Sequence, residues 1–277
     1  VQKRRISPVV ACLAASTASV TRDMAHQTDT QNILILNAGS SSIKFALFDG
    51  QLNQTLSGIA EDIGQVSKLT IGTDVENTPF IDHRAALSAV LKRLRLRGFD
   101  LKALTAVGHR VVHGGAKLTQ PVRLTPEVRA EINNCTPLAP LHNPHNLAAI
   151  DMLSELAPDV PQYASFDTSF HATNPTVATR YAIPRMIETK GIRRYGFHGL
   201  SYASLAQTLP VVSDQKLPSR LLAFHLGNGA SLCAILNGYS VATTMGYSPL
   251  DGLTMGTRSG GIDANAVLRL VADNGLE

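Results

Sequence analysis

The chain has 277 residues and is 44% hydrophobic, which is enough for one large domain or two ordinary domains with real cores. Tryptophan is absent, and residues 1–30 carry half of the net charge of +4, so neither a base-stacking surface nor a concentrated basic patch for nucleic acid is indicated. Three widely spaced cysteines (Cys12, Cys135 and Cys233) are typical of a reducing compartment, and no apolar run is long enough to span a bilayer.

The first thirty residues join a basic start to an apolar stretch that is diluted by Ser, Thr and Pro. Lys3-Arg4-Arg5 and the following residues up to Val20 loosely resemble a signal peptide. The chain begins with Val, and Met24 stands just before the first strongly apolar run. We therefore expect residues 1–30 to be a disordered or artefactual extension, in which residues 1–23 are an upstream translation artefact or a disordered tail and Met24 is the natural start. A secreted chain that begins after Ala18 is the alternative.

Residues 32–48 form two apolar runs around a serine-rich turn, which predicts two strands joined by a tight connection. The small residues of the turn would let backbone amides approach an oxyanion. Ser40 and Ser42 add hydroxyl donors, and Lys44 adds a cation. The spacing is not that of a P-loop, so a Walker-type nucleotide triphosphatase is not supported. A purely structural turn remains the alternative.

Local signals predict the next elements in chain order. The apolar spacing of residues 82–97 predicts a helix with Leu87, Val90, Leu91 and Leu94 buried. Thr125-Pro126 and Asn143-Pro144 are helix starts, each with proline in the first turn. Residues 161–166 read as a strand that ends at Asp167, and further helices are expected after Ser201 and near Asp263.

An internal similarity relates two hairpins. At a constant offset of 188 residues, Gly39 matches Gly227, Ala46 matches Ala234 and Gly50 matches Gly238. The pattern predicts two copies of one structural unit, each with a turn rich in backbone N–H groups. Two such turns that face each other would hold a polyphosphate from both sides. A chance likeness between two hairpins is the alternative, because hairpins share turn chemistry.

Charged side chains stand at strand ends and between glycines. In the run G-H-R-V-V-H-G-G, strand alternation places His109 and His113 on one side and Arg110 on the other. Two histidines in the core are favoured over a metal pair, because no carboxylate follows at ligand spacing. Arg110 is suited to bidentate binding of a carboxylate or phosphate.

Four further positions combine a polar group with a strand end, a helix start or flanking glycines. Asp167 ends an apolar strand, where sheet proteins place functional groups. His198 and Arg258 lie in glycine-bracketed turns, where the backbone comes close to a neighbour or a ligand. His142 precedes a helix, and capping or packing is as good an explanation for it as function.

Together these segments resemble the acetate/propionate kinase family. Seven motifs match in the family's order over residues 34–260: L-N-A-G-S-S-S-I-K-F, G-H-R-V-V-H-G-G, P-L-A-P-L-H-N-P, F-D-T-S-F-H, R-Y-G-F-H-G, H-L-G-N-G-A-S and P-L-D-G-L-T-M-G-T-R-S-G. The resemblance implies an α/β protein with the duplicated ribonuclease H-like fold of the acetate and sugar kinase/Hsp70/actin group. It also implies two domains, at residues 31–171 and 172–277, with a cleft between them. Family members continue beyond the position of Glu277, so the second domain is expected to be incomplete.

The resemblance also implies a role for each matched residue. ATP is the implied co-substrate with Mg²⁺ or Mn²⁺, acetate the implied acceptor, and a cytoplasmic homodimer the implied assembly at full length; no nucleic-acid or membrane partner is implied. The implied residues are Asp167, His198 and Arg258 for catalysis; Arg110, Val112, Leu141 and Pro249 for the carboxylate substrate; Ser40, Ser42, Lys44, His225, Leu226, Gly227, Asn228 and Gly229 for ATP; and Asn37 for the metal.

This chemistry needs no strong general base, because a carboxylate nucleophile is already ionised at neutral pH. Catalysis would come from alignment and from neutralising charge on the planar phosphoryl group. We expect Arg110, Arg258 and His198 to form the positive surface. Asp167 is expected to orient an arginine or the metal and not to take a proton.

The chain departs from the family pattern at three positions beside these residues. Leu200 and Tyr202 stand where Thr and His are frequent, and Gly261 stands where Asp is common. Three alternatives remain open: a propionate kinase, a non-catalytic fragment that binds phosphate or a partner, and an Hsp70/actin-like nucleotide module. Acetate and propionate differ by one methylene, worth only about 1–3 kcal/mol of discrimination.

Overall fold

The computed structural model of the chain describes residues 32–188 and 191–275. The expectations for residues 1–30, including the alternative starts at Met24 and after Ala18, lie outside the described residues. No helix in the described part is long and apolar enough to cross a membrane.

The larger sheet has eight strands in the order β5-β4-β3-β2-β1-β6-β8-β7. At its centre, β1, β6 and β8 are parallel, and β2 pairs with β1 in an antiparallel hairpin. The carboxyl ends of parallel strands meet at one edge of a sheet, the usual place for functional groups in α/β proteins. The strands are β1 (Asn32–Ala38), β2 (Ser42–Phe48), β3 (Gln54–Glu61), β4 (Lys68–Ile71), β5 (Asp74–Asn77), β6 (Leu104–Val111), β7 (Val122–Arg123) and β8 (Gln162–Phe166).

Helices cover both faces of this sheet. One apolar cluster joins Leu34 and Leu36 of β1 to the first and third helices, and another joins Ile33 and Ile35 to Leu200 of the sixth helix. Alternate residues of β1 therefore pack against different helices, as the two-residue repeat of a strand requires. The α-helices are α1 (His83–Leu96), α2 (Pro126–Asn134), α3 (Asn143–Leu156), α4 (Thr176–Thr179), α5 (Arg185–Glu188), α6 (Gly199–Ser213) and α7 (Ala264–Asn274).

The local helix signals are confirmed. The side chain of Asp82 caps α1 by accepting from the Ala85 N–H, an interaction worth about 1 kcal/mol, and the four predicted leucine and valine positions are buried. Thr125 caps α2 with proline in the first turn, and Asp263 caps α7. Helix α6 begins at Gly199, before the predicted start after Ser201, because His198 takes the cap position with a left-handed backbone.

The smaller sheet repeats the first hairpin. A shift of 188 residues carries Asn32–Ala38 onto β9 (Arg220–Leu226) and Ser42–Phe48 onto β10 (Ala230–Leu236), so the predicted repeat is confirmed. The pairing register of the two hairpins differs by one residue. Asn37 pairs with Lys44, but its equivalent His225 pairs with Ser231 and not with Leu232, the equivalent of Lys44. Strand β11 (Tyr239–Thr243) completes the order β11-β10-β9.

The two faces of β9 differ in environment. Ala223 is buried in a cluster with Tyr202 of α6 and with Cys233 and Ile235 of β10, whereas the alternating residues Leu222, Phe224 and Leu226 are exposed. Cys135 and Cys233 are buried free thiols. The domain boundary between residues 171 and 172 remains a prediction; the two sheets lie on either side of it.

Candidate active site

An arginine–aspartate pair occupies the carboxyl edge of the large sheet. Arg110, near the end of β6, donates from Nε and Nη2 to the two carboxylate oxygens of Asp167 at 2.9 and 2.5 Å. Its Nη1 donates to Asn37 Oδ1 on β1 at 2.9 Å. The parallel strands β1, β6 and β8 therefore bring three residues from distant parts of the sequence into one network.

The pair is shielded from water to different degrees on its two sides. The side chain of Asp167 is 3% exposed, whereas that of Arg110 is 23% exposed. Burial alone would lower the pKa of Arg110, but the charge and hydrogen bonds of Asp167 raise it above the ordinary value. The guanidinium is thus a permanent cation that stays partly accessible to solvent.

His198 sits beside this pair at the start of α6. The Gly199 N–H donates to the Asp167 carbonyl at 2.8 Å, which ties the helix start to the end of β8. The His198 ring stacks on the His225 ring with centroids 3.9 Å apart. Burial lowers the pKa of His198 to about 4, and the charges of His225, Arg110 and Arg258 add to this. His198 is therefore uncharged at neutral pH in this arrangement, and its place in the positive surface of the site stays a prediction.

Arg258 approaches the same place from the glycine-rich loop after β11. Its Nη1 donates to the Pro249 carbonyl at 3.1 Å. A Cβ atom on Gly229 would lie 3.1 Å from His198 Nε2 and 3.4 Å from Arg258 Nη1. Glycine at this position therefore lets the β9–β10 turn come close to both side chains.

His142 faces this cluster, and sequence reasoning left its role open. It occupies the cap position of α3 without a side-chain capping bond, so the capping interpretation is wrong. Burial lowers the pKa of His142, and the charges of Arg110 and Arg258 lower it further. Arg110, Arg258 and Asp167 thus all lie close enough to the half-buried His142 side chain for their charges to act on it.

Two of the three predicted acyl-pocket residues lie near this region. Val112 is buried beside Ala139, Phe197 and Met245, and Pro249 is tied to Arg258. Leu141 is 71% exposed and is absent from that buried cluster. Phe197 and Met245 went unnoticed in the sequence because apolar residues that flank glycines carry no signal of their own.

The two predicted phosphate turns are both closed by backbone hydrogen bonds. The Gly39 N–H donates to the Ser42 carbonyl at 2.8 Å, and the Gly227 N–H donates to the Gly229 carbonyl at 3.1 Å. In the first turn Ser40 is exposed, and on the following strand β2 Ser42 is half-buried and Lys44 is exposed. In the second turn Leu226, Gly227 and Asn228 are exposed.

A histidine pair that sequence reasoning missed supports the first turn. His83 Nε2 lies 2.6 Å from the Gly39 carbonyl oxygen, and its ring stacks on His145 with centroids 4.2 Å apart. His83 belongs to the first turn of α1, 44 residues from its partner. Only the fold could bring the two together.

The histidines of the G-H-R-V-V-H-G-G run are core residues. His109 Nε2 lies 2.7 Å from Gln162 Oε1, whereas His113 Nδ1 accepts from the Gly115 N–H at 2.9 Å. Strand β6 ends at Val111, so the predicted alternation does not extend to His113. Within residues 32–188 and 191–275, no group of three or more His, Cys, Asp or Glu side chains could hold a metal ion.

Comparison with known proteins shows which protein family the chain belongs to. The model of the acetokinase family matches residues 32–277. The chain belongs to the acetokinase family. It is 43% identical over 257 residues to an acetate kinase of Rhodopseudomonas palustris, covering 88% of this chain and 64% of that protein. It is 46% identical over 238 residues to an acetate kinase of Deinococcus radiodurans, covering 83% and 60%.

Solved structures of the acetokinase family share the fold. A propionate kinase from Francisella tularensis superposes with a TM-score of 0.83 at 35% identity, covering 89% of this chain and 65% of that one. An acetate kinase from Porphyromonas gingivalis gives 0.78 at 36% identity, covering 89% and 65%. The expected α/β fold is confirmed, and the chain spans about 64% of the length of the curated relatives that it matches.

Proposed function

We propose that this chain carries the carboxylate-binding and phosphoryl-transfer site of an acetate-kinase-type phosphotransferase. The reaction would convert ATP and acetate to ADP and acetyl phosphate by direct in-line transfer. The observation that carries the proposal is the pairing of Arg110 with Asp167 beside His198 and Arg258, in a chain 43% identical to an acetate kinase.

The acetate carboxylate would bind the accessible side of Arg110 and point its methyl group toward Val112. One carboxylate oxygen would attack the γ-phosphorus as the bond from that phosphorus to the β–γ bridging oxygen breaks, and ADP would leave with that oxygen. The nucleophile is ionised at neutral pH, so no proton needs to be removed. The chain would accelerate this step through position and charge.

Each polar group has a distinct task in this scheme. Arg110 and Arg258 supply two permanent positive charges, which would stabilise the equatorial oxygens of the transferring group. His198 supplies a neutral ring nitrogen between Arg258 and the β9–β10 turn. Asp167 orients Arg110 through two hydrogen bonds, which supports the expectation that it does not act as a base.

The residues present suit a Mg²⁺ ion that is bound mainly through nucleotide phosphates. Mg²⁺ prefers oxygen ligands, keeps several waters and often has only one or two protein carboxylates. Asp167 provides a carboxylate, and Asn37 provides an amide oxygen beside it. The ion would neutralise phosphate charge when bound, and Mn²⁺ could replace it. The turns around Ser40, Ser42 and Lys44 and around His225–Gly229 would hold the phosphates.

Propionate is the second candidate acceptor, because a solved relative with a TM-score of 0.83 is a propionate kinase. The pocket around Val112, Phe197 and Met245 would set the preference. A homodimeric assembly and a cytoplasmic location also belong to this proposal and rest on the family resemblance.

Hydroxylamine trapping tests the proposal. The purified chain is incubated with ATP, Mg²⁺, hydroxylamine and either acetate or propionate, and the acyl hydroxamate that forms is measured colorimetrically. We expect product that depends on ATP and on the carboxylate. A chain that is folded by circular dichroism and forms no product would refute the proposal and favour a fragment that only binds phosphate or a partner.

A further inference from the structure

Two buried hydroxyl groups connect α6 to the back of the His198 ring. The Tyr202 hydroxyl oxygen lies 2.5 Å from Ser231 Oγ, and Ser231 Oγ lies 2.9 Å from His198 Nδ1. Tyr202 is 1% exposed and Ser231 is 0% exposed. We call these two residues the hydroxyl relay. Tyr202 is also one of the positions at which the chain departs from the family pattern.

The hydroxyl relay and the His198 ring together contain three polar groups, which have few other partners. Among the described residues, Ser231 Oγ has Tyr202 and His198 as its hydrogen-bond partners, and the Tyr202 hydroxyl has Ser231 Oγ and the His225 backbone. The His225 bond favours the ionised form of Tyr202, so His225 donates its N–H and offers the tyrosine hydrogen no acceptor. Each hydroxyl has one hydrogen to donate, and a neutral imidazole has one N–H and one acceptor nitrogen. Buried donors in folded proteins almost always find an acceptor, so the hydrogens can be assigned by counting.

Only one arrangement pairs every hydrogen in the relay. In it, Tyr202 donates to Ser231, and Ser231 donates to His198 Nδ1. If His198 Nδ1 carried the hydrogen instead, Ser231 would have to accept it. Either the serine hydrogen or the tyrosine hydrogen would then lie buried without an acceptor, which is strongly unfavourable. The relay therefore selects the imidazole tautomer that carries its hydrogen on Nε2.

The backbone and the stacked ring restrain His198 in the same orientation. His198 has a left-handed backbone with φ of 59°, which is costly for a residue with a side chain and persists only where its surroundings enforce it. The Tyr202 N–H donates to the His198 carbonyl at 3.1 Å, one helical turn away. His225 stacks on the ring and is itself held by Ser201 Oγ, 3.0 Å from its Nδ1.

The opposite nitrogen, Nε2, faces the groups of the proposed transfer site. A Cβ atom on Gly229 would be 3.1 Å from Nε2 and 3.4 Å from Arg258 Nη1, so both atoms border the same gap. An N–H in this gap would attract the oxygens of a phosphoryl group, whereas a nitrogen lone pair would repel them. The tautomer thus decides whether His198 helps or opposes the transfer.

We propose that Tyr202 and Ser231 are positioning residues that hold His198 as the neutral Nε2–H tautomer, aimed as a hydrogen-bond donor at the transferring phosphoryl group. The tautomer assignment stands on geometry alone, whereas its catalytic meaning rests on the proposed function. Burial raises the pKa of Tyr202 to about 12, so its hydroxyl keeps the hydrogen that starts the relay.

Nitrogen NMR tests the tautomer without any need for activity. The full chain is labelled with ¹⁵N-histidine, and long-range ¹H–¹⁵N spectra are recorded at pH 7.5, with the His198 signals assigned through a His198→Gln variant. We expect the pattern of a protonated Nε2 and an unprotonated Nδ1. A protonated Nδ1 in the wild-type chain would overturn the proposal whatever the enzyme kinetics show.

Two relay variants and one matched control extend the test. Ser231→Ala removes the partner of Nδ1, so we expect mixed tautomer signals and a fall in kcat of about tenfold, with KM for acetate and ATP changed less than roughly twofold. Ser231→Thr keeps the hydroxyl and should keep the Nε2–H pattern. Ser204→Ala is the control, because Ser204 is a buried serine on α6 with no hydrogen-bond partner for its hydroxyl among the described residues.

Tyr202→Phe provides a milder variant if Ser231→Ala does not fold. It leaves Ser231 free to accept, so we expect a partial loss of the Nε2–H pattern and a fall in kcat of roughly threefold. Unchanged His198 signals in both Ser231→Ala and Tyr202→Phe would refute the proposal. A correct tautomer pattern in a chain that forms no hydroxamate would refute the proposed function and leave the relay intact.

Discussion

Replacement of Asp167 by asparagine separates an orienting role from that of a proton acceptor. In the wild-type chain, two oxygens of Asp167 accept from Nε and Nη2 of Arg110 at 2.9 and 2.5 Å. Asparagine keeps the shape of the side chain but offers one oxygen and one NH₂ group. The NH₂ group would then face a guanidinium N–H, so one hydrogen bond is lost. The other still involves the arginine cation but no longer a carboxylate charge.

The expected magnitude follows from the burial of the pair. Removing one partner of a buried ion pair costs about 3–5 kcal/mol, and a hydrogen bond to a charged group contributes about 1.5–3 kcal/mol. Arg110 remains 23% exposed and can recover part of its hydration, which lowers the cost. These costs apply to folding stability. Because Arg110 can stabilise the transition state only when Asp167 holds it in place, we expect a further loss of roughly 2–4 kcal/mol of transition-state stabilisation, or about a 30- to 1000-fold fall in kcat/KM.

The assay is the hydroxylamine trap with acetate, run from pH 5.5 to 9 on wild type and Asp167→Asn. If Asp167 only orients Arg110, the variant should be slower at every pH, with a similar profile and a higher KM for acetate. A wild-type profile with one acidic ionisation that disappears in the variant, while the Arg110 side chain stays in place, would refute the orienting role and identify Asp167 as a base.

A second arginine–aspartate pair in the same chain provides the matched control. Arg129 donates from Nε and Nη2 to Asp151 at 2.5 and 2.6 Å, but the two side chains are 44% and 37% exposed. The same change, Asp151→Asn, should therefore cost less than about 1 kcal/mol of stability and leave kcat unchanged. A loss of kcat in the control would mean that the effect at Asp167 is a general loss of folding.

Three further predictions concern other parts of the molecule. Arg258→Ala should lower kcat by roughly a hundredfold or more with little change in KM for acetate, because it removes a charge next to the phosphoryl group; an unchanged kcat in the hydroxamate assay would contradict its role. Val112→Ala should enlarge the acyl pocket and raise kcat/KM for propionate relative to acetate by about tenfold, measured with both substrates in parallel, and an unchanged ratio would place the methyl group elsewhere. Burial lowers the pKa of His109 from 6.5 to about 4, so the unfolded chain binds more protons in that window, and the free energy of unfolding should fall as pH drops from 6.5 to 4 by on the order of 3 kcal/mol for this residue. Urea denaturation at several pH values measures this slope, which should be smaller for His109→Gln; equal slopes would show that His109 is not the cause.

Short-range signals were sufficient to predict most of the secondary structure. The apolar spacing of residues 82–97, the Thr125 cap and the proline at Asn143-Pro144 act between residues that are close in the chain, so their effect is visible in a few consecutive letters. The similarity of the two hairpins at an offset of 188 residues was also visible in the sequence, because both hairpins need small residues at the turn and apolar residues in the strands.

The short range of these signals also explains where the sequence predictions missed features of the structure. The start of α6 was placed too late because the left-handed cap at His198 is enforced by neighbours from other elements. The assignment of Leu141 to the acyl pocket stays a prediction, and no signal in the sequence indicated that its side chain is 71% exposed. The role of an apolar residue depends on which surface it faces, and sequence letters do not state this.

The sequence by itself determined the family, the succession of helices and strands, and the polar residues that meet at the sheet edge. Only the tertiary structure decided that Arg110 is held by Asp167, that His198 is neutral, and that Ser231 and Tyr202 stand behind its ring. Capping and periodicity act between residues that are close in the chain. Hydrogen-bond partners and pKa values depend on burial and on side chains that the fold brings together from far apart.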